Sequence, residues 1–168
     1  MNWDAIKAIV LDIDGVLTDG CIGYEGPAEI KFFHVRDGHG LKLAMRAGLQ
    51  VGILSGRSSE ANRVRVRELG LNFLYEGKKN KDEGFTQLLQ EQGLQAEECL
   101  YVGDDVVDIP VLRRAGIAVT VADAPEMMDE YCHLRTRHPG GGGAVREIVE
   151  LLLKRQGKWD QLMERYLS

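Results

Sequence analysis

Ile6-Lys7-Ala8-Ile9-Val10-Leu11-Asp12-Ile13-Asp14-Gly15-Val16 is an apolar run that ends on two carboxylates and a glycine. The run is nearly continuous rather than alternating, which predicts a strand buried on both faces of a parallel sheet. Four further runs of the same kind lie at 51–54, 73–75, 99–102 and 117–121. Helical patterns fill the gaps at 39–48, 58–69, 80–92, 107–115 and 144–155. Gly48, Gly70, Gly93 and Gly116 stand where helix C-caps are expected. This alternation predicts an α/β chain: a Rossmann-like, doubly wound parallel sheet with helices on both faces, forming one domain over 1–168.

Three stretches depart from the rhythm. Residues 19–35 hold two short β-prone runs around Glu25-Gly26-Pro27, which predicts a hairpin inserted after the first strand. Gly140-Gly141-Gly142-Gly143 reads as a flexible loop before the last long helix. The tail over 156–168 reads as a short amphipathic helix from 158, with Trp159, Leu162, Met163, Tyr166 and Leu167 mostly on one side.

The formal net charge of the 168 residues is −5, with no basic stripe interleaved with aromatics. Nucleic acid is therefore not an expected partner, and any phosphate site must be built locally. Cys21, Cys99 and Cys132 lack CxxC spacing, so buried free thiols in a reducing, cytoplasmic setting are expected rather than disulfides or zinc. No signal sequence or membrane span is expected, because Asp12 and Asp14 interrupt the one apolar run near the start.

In open parallel sheets ligands bind at the carboxyl ends of the strands. The reactive side chains collect there. The first strand ends in Asp12 and Asp14, and the second in Ser55-Gly56-Arg57. Lys81 opens the helix after the third, and Gly103-Asp104-Asp105 ends the fourth, with Asp108 one turn on. Alone, each has an ordinary structural use as a cap, a turn or a solvated charge. Together they would repel unless a cation joined them, and an all-oxygen donor set suits Mg2+. Asp12 and Asp104 would offer carboxylate oxygens and Asp14 its carbonyl, while Asp108, with Asp105 as a further candidate, would support them from behind. Asp12 would then attack phosphorus, Asp14 would move the proton, Ser55 and the Gly56 and Arg57 N–H groups would hold phosphate, and Lys81 would balance charge. Gly15 permits the chain to turn at the strand end, where both acids would face one site.

Asp12-x-Asp14-Gly15-Val16, Ser55, Lys81 and Gly103-Asp104-Asp105-x-x-Asp108 resemble, in order, the four motifs of the haloacid dehalogenase superfamily. The resemblance spans nearly the whole chain, and an Asp at position 14 is similar to its phosphatase branch. The spacing between motifs leaves no room for a large cap domain. The chain thus resembles the capless group, which implies a homotetramer with hairpins packed in a central barrel and each site completed by a neighbouring subunit.

Residues 31–40, 54–57, 77–81, 101–105 and 140–147 are similar to phosphatases of an eight-carbon sugar acid 8-phosphate used in lipopolysaccharide synthesis. By position, the resemblance implies substrate contacts from His34, Val35, Arg36, Asp37, Gly38, Lys42, Gly56, Arg57, Arg65 and Lys81. It also implies that the glycine-rich segment approaches a neighbour's site. His34, Lys42 and Gly142 depart from the residues common there (Asn, Arg and Arg), and Lys lacks the planar fork of Arg. A nine-carbon sugar acid 9-phosphate, another small phosphate ester, or a non-catalytic phosphate-binding module stay open on these residues.

Overall fold

Ala8–Leu11 (β1) is buried at every position and lies at the centre of the sheet, as its continuous apolar pattern predicts. The computed structural model describes residues 1–167, so the last residue of the predicted tail, Ser168, lies outside the description. The remaining strands are β2 (Gly23–Glu25), β3 (Ala28–Ile30), β4 (Gln50–Leu54), β5 (Phe73–Tyr75), β6 (Cys99–Val102), β7 (Ile117–Thr120) and β8 (Leu134–Arg135). Six of them form a sheet in the order β5-β4-β1-β6-β7-β8, with every pairing parallel. The chain runs outward from β1 to β5, then returns to β6 and runs the other way. The reversal puts a crevice at the carboxyl ends of β1 and β6, where Leu11 is level with Val102.

The helices are α1 (Val35–Arg46), α2 (Glu60–Leu69), α3 (Lys81–Gln92), α4 (Ile109–Leu112), α5 (Ala144–Arg155) and α6 (Trp159–Leu167). Side chains of α1 and α5, with Leu69 of α2, pack on one face of the sheet beside Ile9 and Leu11. Phe85 and Leu88 of α3 and Val111 and Leu112 of α4 pack on the other, beside Ala8 and Val10. The sheet is thus covered on both sides, and the insertion amounts to the antiparallel β2–β3 hairpin, not a large cap.

Several boundaries differ from the sequence reading, for local reasons. The helix expected from 39 begins at Val35; Gly38 and Gly40 weaken its first turns in isolation, but both are buried against neighbours that hold the helix. Ser59 accepts the Asn62 N–H at 3.2 Å and starts α2 at Glu60 rather than 58. The helix expected over 107–115 contracts to α4, with a 3-10 turn at Val106–Asp108 before it. β8 was not foreseen, being only two residues long. Gly70 and Gly93 are left-handed C-caps, whereas Gly116 is not left-handed; the Glu97 backbone occupies the space a Cβ would need. Of the three thiols, Cys21 is exposed and only Cys99 is buried.

The four glycines are not a free linker. The Gly141 N–H donates to Val16 O at 3.0 Å, and a Cβ on Gly140 would overlap the Gly15 carbonyl. The segment therefore buttresses the turn that follows β1 in its own chain. Asp37, in the first turn of α1, caps α5 from a distance: its carboxylate accepts Arg146 N–H at 2.7 Å and Gly143 N–H at 3.3 Å. Burial pushes its pKa up, and these bonds oppose that. Asp37→Ala should cost about 1–3 kcal/mol, the penalty for stranding buried donors, read as a lower urea midpoint with the slope unchanged.

Candidate active site

Asp12 follows β1 directly, and its N–H continues the parallel ladder to Val102 O at 3.0 Å. One carboxylate oxygen accepts the Ile13 N–H at 2.8 Å, and the other lies 2.7 Å from Lys81 Nζ. Gly15 turns the chain at φ +86°, and a Cβ there would overlap the Asp104 carboxylate. A side chain at 15 is thus excluded twice, by conformation and by space. This close approach brings the loop after β1 against the loop after β6.

Lys81 is buried at the first position of α3, which Asn80 caps. Its ammonium lies between Asp12 and Asp108, 2.5 Å from Asp108 Oδ1. Burial pushes Lys81 down, but the two carboxylates outweigh it and its pKa is raised. Asp108 is fully buried with both oxygens engaged. Oδ1 accepts from Lys81 and from Tyr101 OH at 2.5 Å, and Oδ2 accepts the N–H groups of Asp104 at 3.0 Å and Asp105 at 3.3 Å. Asp108 therefore fixes the Asp104 loop and Lys81 together. Tyr101 was not singled out as a site residue in the sequence, since an inward hydroxyl on a buried strand has no motif signature.

Asp12, Asp104 and Asp108 offer carboxylate oxygens within 4.8 Å of one another. Burial pushes Asp12 up to about 6 against the pull of Lys81. Burial, then the charges of Asp12 and Asp108, push Asp104 up to about 7. Crowded, desolvated carboxylates on hard oxygen donors fit a divalent ion such as Mg2+. Asp12 and Asp104 are the members of this cluster that line the open cleft, whereas Asp108 is fully buried.

Asp12, Asp14, Ser55, Arg57, Lys81 and Asp104 line one cleft of about 420 Å3. Ser55 is buried, and its Oγ accepts the Arg57 N–H at 3.3 Å. That N–H is therefore turned to Ser55 rather than offered to a ligand, because α2 begins beyond it. The Arg57 guanidinium pairs with Glu29 and stands 3.8 Å from Asp14 Oδ2. Lys31 and Lys79 were missed in the sequence as site residues. Lys31 reaches Asp14 at 2.7 Å from the end of the hairpin, and Lys79 lies on the rim of the cleft.

The other expected substrate contacts are not brought to this cleft within one chain. His34 and Arg36 line a separate cleft of about 820 Å3, together with Arg137, Arg146 and Lys154. Its charges are largely matched internally: Glu147 pairs with Arg137 and His138, and Glu150 with Arg146 and Lys154. Though larger, it holds no crowded carboxylates and no buried lysine beside a nucleophile. Val35 is 81% exposed, and the Asp37 carboxylate is occupied as the α5 cap. Gly38 sits under the Arg65 guanidinium, which bonds Glu68 at 2.9 Å and stacks 5.2 Å over Phe33. Lys42 Nζ donates to Glu68 O at 3.4 Å.

The raised carboxylate pKa values fix the sign of a pH effect. Asp12 and Asp104 bind protons more tightly folded than unfolded, so in metal-free protein their ionisation costs stability as pH rises through about 6 and 7. A divalent ion competes with those protons. Millimolar MgCl2 should therefore raise Tm more well above pH 7 than below pH 6. Differential scanning fluorimetry checks this; a gain that is equal at both pH values, or absent, would refute it.

The sequence profile of haloacid dehalogenase-like hydrolases matches residues 35–116. The 3-deoxy-D-manno-octulosonate 8-phosphate phosphatase of Escherichia coli K12 is 42% identical over 158 residues, covering 93% of this chain and 84% of that protein. The Haemophilus influenzae enzyme of the same name is 43% identical over 155 residues, covering 91% and 86%. A Moraxella catarrhalis phosphatase of that name, crystallised with magnesium ion, phosphate ion and a KDO molecule, superposes with a TM-score of 0.93 at 34% identity, covering 98% of this chain and 95% of that one. Identity at this level, over nearly the full length of each partner, shows that the chain belongs to the haloacid dehalogenase-like hydrolase family.

Proposed function

We propose that the chain is a Mg2+-dependent phosphomonoester hydrolase, acting as one domain over 1–168, whose substrate is 3-deoxy-D-manno-octulosonate 8-phosphate. The observation that carries the chemistry is Asp12 held 2.7 Å from the buried Lys81 beside Asp104, in one cleft with Ser55. The substrate is carried by the resemblance to phosphatases of that name at 42–43% identity.

Asp12 attacks phosphorus with one carboxylate oxygen, and the bond from phosphorus to the sugar oxygen breaks as Asp14 gives that oxygen its proton. A water then attacks the aspartyl-phosphate. Asp14 takes the water's proton, phosphate leaves, and the Asp12 carboxylate is restored. Ser55 Oγ already accepts an N–H, which leaves its own hydrogen for a phosphate oxygen. Lys81 is cationic and faces the nucleophile, so it opposes the negative charge of the phosphoryl group. Asp12, Asp104 and the Asp14 carbonyl would hold Mg2+, which would supply charge neutralisation for the phosphoryl oxygens.

The assembly belongs to this reading. The hairpin and the start of α1 expose Tyr24 (66%), Phe32 (82%) and Val35 (81%), which supports packing against other copies. His34, Val35 and Arg36 lie outside their own cleft, so a neighbouring subunit in a homotetramer is the way for them to reach a substrate. Three free cysteines support a cytoplasmic setting, and no helix among the described residues is long and apolar enough to cross a membrane.

Purified protein should release phosphate from 3-deoxy-D-manno-octulosonate 8-phosphate only with Mg2+, and Asp12→Asn should lower kcat by about 1,000-fold or more, as for loss of a nucleophile. Full activity in Asp12→Asn would sink the mechanism. Preference for a nine-carbon 9-phosphate would sink the substrate. Light scattering should give four times the 18.7 kDa chain mass, and a monomer would overturn the assembly.

A further inference from the structure

We infer that Lys31 is the positioning residue for Asp14, tying the proton-transfer group to the β2–β3 hairpin; this rests on the reading of Asp14 as acid and base. Lys31 directly follows β3, and its side chain has no solvent exposure. Its ammonium meets three groups: Asp14 Oδ1 at 2.7 Å, Asn62 Oδ1 at 3.0 Å and Glu29 Oε2 at 3.7 Å. Asn62 is itself fully buried and held by the α2 cap, its N–H on Ser59 Oγ at 3.2 Å. The ammonium is thereby anchored to α2 at one end and presented to Asp14 at the other.

A lysine at the base of an exposed hairpin would ordinarily extend its charge into water, since burying an ammonium costs several kcal/mol before pairing. Here the charge is turned inward, onto the acid that lines the catalytic cleft. The contact with Asp14 is close, but neither Asp14 oxygen makes an aligned hydrogen bond. The aligned acceptor is Asn62. The Lys31 ammonium therefore sits against Asp14 without an aligned bond that would fix the carboxyl group in one orientation. Glu29, on β3, pairs with both Lys31 and Arg57, the two cations nearest Asp14.

The test separates positioning from a purely structural ion pair. Expulsion of p-nitrophenolate needs no proton, whereas expulsion of a sugar alkoxide does, and general acid help is worth about 100- to 10,000-fold. kcat/KM reports steps through phosphorylation of Asp12, so it excludes the later water attack. With Mg2+-loaded protein, Lys31→Met should lower kcat/KM for the sugar acid phosphate at least about tenfold more than for p-nitrophenyl phosphate. Lys31→Arg should recover part of that difference. If Lys31→Met does not fold by circular dichroism, Asn62→Ala, which removes only the aligned anchor, should show a smaller skew in the same direction. Equal falls on both substrates, or no fall, in the folded variants would overturn the inference while leaving the phosphatase reading intact. Wild-type protein inert on both phosphates would sink that reading, and this inference with it.

Discussion

One buried ammonium between two buried carboxylates sets the terms for the rest of the molecule. Asp12 and Asp108 are both removed from water, and the Lys81 ammonium lies between them as their shared counter-charge. Such a pair is not a source of net stability, because desolvation offsets the attraction; its effect is to allow only one arrangement of the groups around it. Removing the ammonium alone would strand two charges, at about 3–5 kcal/mol. The arrangement extends outward through Asp108, whose second oxygen ties down the Asp104 and Asp105 N–H groups, and through Tyr101, which caps the first. A lysine on α3, a strand end on β1 and the loop after β6 thus share one electrostatic solution.

Backbone contact does the corresponding work on the other side of Asp12. Gly15 lets the Asp104 carboxylate lie against the chain, and Gly140 packs on Gly15 from behind. The turn between Asp12 and Asp14 is pressed between a carboxylate and a glycine-rich segment. The turn leaves Asp12 and Asp14, two positions apart, lining one cleft. It also assigns Gly140 and Gly141 a packing role where composition alone reads as flexibility.

The small insertion has consequences out of proportion to its length. With no large cap, the end of the hairpin meets Asp14 through Lys31, and Glu29 on β3 pairs with Lys31 and Arg57, the two cations beside that acid. Its outer surface is apolar, and the start of α1 beside it is exposed. An element that meets solvent or a neighbour on one side and the acid/base on the other can link assembly to proton transfer. The cleft at Asp12 is open in one chain, and His34 and Arg36 stand outside it.

Much of the site was legible in the residues themselves. Asp12, Ser55, Lys81 and Asp104 each follow or abut a continuous apolar run, and a parallel sheet brings the ends of such runs to one edge whatever the details of packing. The absence of a large cap follows from the spacing between motifs, whereas the order of the strands is seen only in the folded sheet. Periodicity could not reveal which charges answer which. Asp37 looked like a ligand residue, yet its carboxylate caps a helix more than a hundred residues away. Lys31 has no local signature of a site residue, yet it is buried on Asp14. Tyr101 looked like core, yet its hydroxyl completes Asp108. Local pattern determines where a side chain leaves the backbone, because the strand and helix periods are local. Its partner is chosen by desolvation and close approach between segments distant in sequence, and only the folded chain decides that.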